Sequence, residues 1–283
     1  MFSDRIRERV GGIGIALLVI VLASIGWRRR ETARRVAELR QTATTGRERV
    51  VTEDDLEGLP TPVRTYFDTV LQEGHPYIDS VRLEQTGRLR PGGATAAWKP
   101  FAATQYVTVE PPGFIWDTSV RLAPLVSVRV RDQFHDWQGT ASVSLFGVIP
   151  LERGDSSPEL EEAALMRYLA EAVWYPTALL PTAGVEWESI DERTAKATIE
   201  NGAVSASLTF SFTEDDVVAR VHADRYRRVD DGYESTPWSG YWRNYETRNG
   251  IRVPTEGEVV WHLPGGDMHA WQGRITSLQY NEL

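Results

Sequence analysis

The sequence contains no cysteine. That excludes disulfides, thiolate metal sites, a cysteine nucleophile and a lipid-modified N-terminal cysteine. Lysine is nearly missing as well, confined to Lys99 and Lys196, so almost all positive charge is arginine. No G-x-S-x-G nucleophile elbow, phosphate loop or H-E-x-x-H zinc motif occurs. Gly11, Gly12 and Gly14 lie in an apolar run, and Gly92-Gly93 reads as a hairpin turn. The formal net charge is -9. Residues 1–35 hold eight arginines against Asp4, Glu8 and Glu31, so the acidity belongs to the rest of the chain. A body this acidic repels nucleic-acid phosphates, and no nucleic-acid partner is expected.

Long apolar runs are absent but for one. Val10 to Trp27 (VGGIGIALLVIVLASIGW) carries no charge and is flanked by Arg5, Arg7 and Arg9 before and Arg28, Arg29 and Arg30 after. Crossing a ~30 Å hydrocarbon core takes roughly 17–25 apolar residues. The run is therefore expected as a single-pass membrane anchor over residues 1–30, with residues 10–27 in the bilayer and Trp27 at its interface. Trp27 and three arginines directly after Ser24 and Gly26 disfavour cleavage as a signal peptide. Arginines on both flanks leave the side of the following domain open. Residues 31–58 read as a helical polar stalk, with Ala33, Val36 and Leu39 on a weak helical period.

Beyond the stalk, residues 59–283 read as a single domain. Val63, Tyr66, Phe67 and Val70 recur at helical spacing after Pro60 and Pro62. From Ile78 onward a period of two takes over: Val126, Val128 and Val130, or Val204, Ala206, Leu208, Phe210 and Phe212, alternate with polar residues. Such alternation predicts antiparallel strands with one buried face. One helix interrupts them, predicted over 157–175. Ser157 caps it, Pro158 opens it, Glu159, Glu161 and Glu162 suit its N-terminus, and Leu165, Leu169, Ala172 and Val173 form its apolar face.

Two resemblances attach to these elements. Leu59-Pro60-x-Pro62-Val63-Arg64-x-Tyr66-Phe67, Trp98-Lys99-Pro100-Phe101, Gly113-Phe114-x-Trp116, Arg167-Tyr168-Leu169-x-Glu171-x-x-Trp174-x-Pro176 and Gly250-x-x-Val253-Pro254 resemble an uncharacterised family of microbial membrane-anchored domains, from about residue 56 to the C-terminus. That family supplies no activity. The order of elements, with the closing Arg274–Tyr280 strand, also resembles the LolA/LolB-like lipoprotein carriers at the level of fold. This second resemblance implies a mainly β (α+β) domain, a strongly bent antiparallel sheet or half-barrel with an inserted helix at its mouth.

Candidate chemistry is sparse. His75, His135, His222, His262 and His269 show no metal-ligand spacing, although a turn at Pro264-Gly265-Gly266 offers to bring His262 and His269 together. Asp132, Asp136, Asp215 and Asp216 read as solvated carboxylates. Arg167, Glu171 and Trp174 share one helix stripe, and Arg167 and Glu171 are spaced to pair. The pair either docks the helix onto the sheet, or holds an anionic head group at a pocket mouth, or leaves Glu171 for acid–base work. The soluble part holds nine tryptophans, which either fill a curved sheet or line an apolar cavity. The expected ligand-binding set is Arg167, Glu171, Trp174, Trp98, Trp116 and Trp242, with no catalytic residue, metal or cofactor assigned. The leading expectation is a tethered domain that binds a lipid-like ligand. The alternative is a protein-interaction or sensory domain with a filled core, using a surface around Trp238–Trp242. An enzyme of unrecognised type stands third.

Overall fold

The computed structural model describes residues 26–44, 49–124, 126–147, 149–230 and 232–282. Residues 10–25 of the expected anchor lie outside the described residues. Among the described residues, no helix is long and apolar enough to cross a membrane.

The architecture is one open antiparallel sheet of 13 strands. Six strands come first: β1 (Ser80–Leu89), β2 (Lys99–Thr108), β3 (Gly113–Ala123), β4 (Val126–His135), β5 (Gln138–Leu145) and β6 (Ile149–Gly154). Helix α3 (Pro158–Glu171) and short 3₁₀ turns follow. Then come β7 (Val185–Asp191), β8 (Thr194–Asn201), β9 (Val204–Phe212), β10 (Val218–Val229), β11 (Gly232–Arg248), β12 (Ile251–Leu263) and β13 (Gly266–Tyr280). Each run is a meander of neighbouring strands. The pairing of β1 with β13 fuses them, leaving β6 and β7 as the edges.

The alternating pattern sets which face is buried. In β9 Val204, Ala206, Leu208, Phe210 and Phe212 are buried while Ser205 is exposed and Ser207, Thr209 and Ser211 are half-buried. Helix α3 packs on β9 and β10 and also on β4 and β5. Between β4 and β10 the sheet has six intervening strands, about 34 Å if flat at ~4.8 Å per strand. A helix is only ~10–12 Å across, so the sheet must curl around it. Register shifts at Glu84/Gln85 and at Val259/Val260 lie along β13, at the centre of the bend.

The two predicted helices form for the expected reasons. Ser157 accepts a hydrogen bond from the Leu160 amide, Pro158 opens α3, and Leu165, Leu169, Ala172 and Val173 are fully buried. The α-helix ends at Glu171, and a 3₁₀ turn, Ala172–Trp174, carries the chain to Pro176. Helix α2 (Thr61–Val70) buries Val63, Tyr66, Phe67 and Val70 against β7, β8 and β12.

Of the stretch 31–58, expected as a stalk, the described residues are α-helical to residue 42, and Glu53–Leu56 form a 3₁₀ turn. This helix, α1 (26–42), lies on the outer face of the sheet. Leu39 is buried in a notch left by Gly113, where an added Cβ would lie 2.9 Å from Leu39 Cδ1. Thr32 donates to Asp117 at 2.8 Å, Arg35 to Gln133 at 3.0 Å, and Glu31 pairs with Arg131 at 3.1 Å. Val51 and Leu56 are also buried in the core.

Candidate functional site

Helix α3 does not fill the hollow of the bent sheet. A cavity of about 270 Å³ remains between them, and its walls include Trp116, Trp174, Trp238, Trp242 and Trp271. Glycines make this possible. Gly257 faces Trp242 across the β11–β12 pair, and a Cβ there would come within 2.6 Å of the indole. At Gly273 a Cβ would come within 2.1 Å of the Trp271 ring. Both rings therefore lie flat on strand backbone instead of projecting into the hollow. Trp174 and Trp242 meet edge to face at 4.9 Å, and Phe101 bridges Trp116 and Trp271 at 6.0 and 5.8 Å.

A charged group crosses one end of the cavity. Arg167 donates to Glu171 at 2.8 Å and to Asp132 at 2.7 Å. Its guanidinium lies 4.8 Å from the Trp116 ring and 5.1 Å from Phe114. Burial works against its charge, but the fields of Glu171 and then Asp132 outweigh it, and its pKa ends above the ordinary arginine value. Gln105 donates to the other oxygen of Glu171 at 2.6 Å. Both Glu171 oxygens are thus engaged in positioning, which gives no support to acid–base chemistry there.

A second arginine faces the first. Arg225 donates from Nε to the Ala163 carbonyl at 3.0 Å and lies 5.4 and 5.6 Å from the rings of Trp238 and Trp261. Its pKa is pushed down to about 10 by burial and by Arg167, against the opposing fields of Asp132 and Glu171.

Five of the six expected site residues meet here: Arg167, Glu171, Trp174, Trp116 and Trp242 all line the cavity. Trp98 does not. It sits in the β1–β2 connection, stacked by Arg88 at 4.8 Å and Arg90 at 4.7 Å. Asp132 is not a freely solvated carboxylate but a partner of Arg167. The expected surface around Trp238–Trp242 is not a surface for its tryptophans: Trp238 and Trp242 are 3% and 8% exposed and point inward, on the opposite side from Ser239. Arg225 escaped the sequence reading and Asp132 was read as solvated, yet each had a signal. Arg225 follows Val221 and Ala223 on one strand face, and Asp132 follows Val128 and Val130, so each puts a charge on an apolar register.

The outer face of the same strands carries a polar chain. Ser239 Oγ lies 2.9 Å from His262 Nε2, and His262 Nδ1 lies 2.7 Å from Asp267. The order is that of a serine nucleophile with its base. However, Ser239 is fully buried, and Arg220 donates to Oγ from both Nε and Nη2. A nucleophile so covered has no approach for substrate, and the chain reads as cross-strand cohesion. His269 turns instead to Glu258 at 2.6 Å, so the turn does not unite it with His262. Among the described residues no group of three His, Cys, Asp or Glu is placed to hold a metal ion.

Comparison with known proteins identifies the chain as a member of a family of unknown function, DUF6544, matched over residues 49–273. No curated protein matches it. Among solved structures it is similar to a LolA superfamily protein from Nitrosomonas europaea, at 9% identity and a TM-score of 0.38, over 78% of this chain and 93% of that one. A likeness this loose says nothing of what this chain binds.

Proposed function

We propose that this chain is a binding module for a single amphiphile, held in the cavity under α3 and tethered to a membrane through residues 10–27. The observation that carries the reading is the aromatic hollow, whose Trp242 and Trp271 rest on Gly257 and Gly273. A domain that needed tryptophans only as filler would close over them. Its volume of about 270 Å³ lies just under the ~300–1,000 Å³ of small-molecule pockets, which suits one chain and not several. The apolar run before Trp27 would keep the cavity close to a lipid source.

The test uses the full chain purified from its own host. Native mass spectrometry with lipid extraction is expected to find one co-purifying amphiphile per protein. Ala270→Trp, at the cavity wall, should abolish it. A clean apo mass, with no uptake from added host lipids, would overturn the proposal and favour the protein-interaction reading. That reading would then move to the exposed Phe146, Ile149 and Leu151 beside edge strand β6.

A further inference from the structure

The cavity's charges do not cancel. Three arginines line it, Arg90, Arg167 and Arg225, against two carboxylates, Asp132 and Glu171. Arg167 takes both carboxylates at ion-pair distance. Arg225 has none within that distance among the described residues. Its Nε is used by the Ala163 carbonyl, and Nη1 and Nη2 make no hydrogen bond to any described residue. A half-buried guanidinium set against Trp238 and Trp261 without a counter-ion is only partly compensated by solvent.

The unpartnered donors of the wall lean the same way. Three buried side-chain atoms of lining residues have no hydrogen-bond partner among the described residues: Arg90 Nε, Trp238 Nε1 and Trp242 Nε1. All three are donors. Trp116 and Trp174 show what this wall does where an acceptor exists, since their indoles donate to Gln85 at 2.8 Å and to the Pro254 carbonyl at 3.0 Å. A water-like or alcohol-like ligand would leave the cation unbalanced. A cationic ligand would add to it.

We infer that the ligand of this cavity is an anionic amphiphile, its carboxylate or phosphate head on the Nη groups of Arg225 and its apolar tail against Trp116, Trp174, Trp242 and Trp271. This rests on the amphiphile reading above and assigns its head group. Arg167 is a positioning residue, saturated by Asp132 and Glu171, and Arg225 is the anion-binding one. The depressed pKa of Arg225 agrees, because a bound anion returns the stabilisation that burial removes.

The experiment titrates the full chain in nanodiscs with decanoate, decyl phosphate, decanol and decylamine. Tryptophan fluorescence is the readout, and empty nanodiscs correct for partition. The two anions are expected to bind at least about tenfold tighter than decanol, the scale of one charge-assisted hydrogen bond. Their ratio tells a carboxylate source from a phosphate source. Arg225→Gln should erase the preference, with circular dichroism and urea unfolding certifying its fold. Arg225→Lys should keep part of it. If Arg225→Gln does not fold, the order of the four probes on the unaltered chain decides. Decanol binding as tightly as the anions, or decylamine tighter, would overturn the inference while the amphiphile reading stands. No binding by any probe would overturn both.

Discussion

Both faces of the sheet carry cavities, and the one under helix α1 on the outer face, about 480 Å³, is larger than the inner one, about 270 Å³. The outer one lies between helix α1 and the sheet and is lined by Arg29, Arg40, Arg82, Arg129, Asp117 and Glu282. Arg82 bonds Glu84 and Gln279, and Arg129 and Arg131 both pair with Asp117. It opens to solvent, whose high dielectric keeps its remaining charges cheap. The inner cavity is smaller and walled by indoles, and two of its arginines, Arg90 and Arg225, make no ion pair among the described residues. The contrast shows that volume is a poor guide to a binding site. Unbalanced polarity among apolar rings is a better one.

The largest effect that tests this contrast is expected inside. Arg167→Ala strands Asp132 and Glu171 beside apolar rings and should cost about 3 kcal/mol or more in urea unfolding. A loss below about 1 kcal/mol would mean the network is dispensable and Arg167 is free to bind ligand.

On the outer face Asp117→Asn should cost about 2 kcal/mol, less because Arg129 is partly solvated. Hydrogen exchange should then quicken across residues 26–42, since Thr32 loses a charged acceptor and keeps at best a neutral amide oxygen. The effect has a pH signature. Burial pushes the Asp117 carboxyl up, but hydrogen bonding and charge from Arg129 and Arg131 hold it below its ordinary 3.8. Its contribution is therefore complete above that value and is lost as pH falls through the folded-state pKa. The gap between the unaltered chain and Asp117→Asn should close in acid, and a gap constant down to pH 2 would contradict this.

Smaller effects sharpen the inner site. Gly257→Ala forces the Trp242 ring off the strand and should cost about 1–2 kcal/mol. Decanol affinity should fall with it, and an unchanged titration would show that the floor does not shape the cavity. Smallest of all, Trp238→Phe removes an unpaired buried donor and keeps the ring. Stability without ligand should move by less than about 0.5 kcal/mol or rise. A clear loss would reveal an acceptor for that indole.

Much of the fold was legible in the chain. Valines two apart announced β4, and the alternation in β9 matches its buried face residue for residue, because a strand's period of two needs only its own sequence. Ser157-Pro158 placed the start of α3 for an equally local reason. The site was half legible. Arg167 and Glu171 pair within one helix, so spacing sufficed. Asp132 and Arg225 meet them from β4 and β10, seven strands apart in sheet order, and no local pattern reports such a meeting.

What the amino-acid order determined alone is the set of elements, their buried faces, the absence of thiol chemistry and the arginine origin of the charge. The tertiary structure decided which charges face one another. Curling brings β4 and β10 to the same helix, and it leaves Arg167 with two carboxylates and Arg225 with none among the described residues. It also decided that Trp98 lies outside the hollow while Trp238 lines it, because closure of a sheet is a sum over many strand twists and bulges and not a property of any one segment.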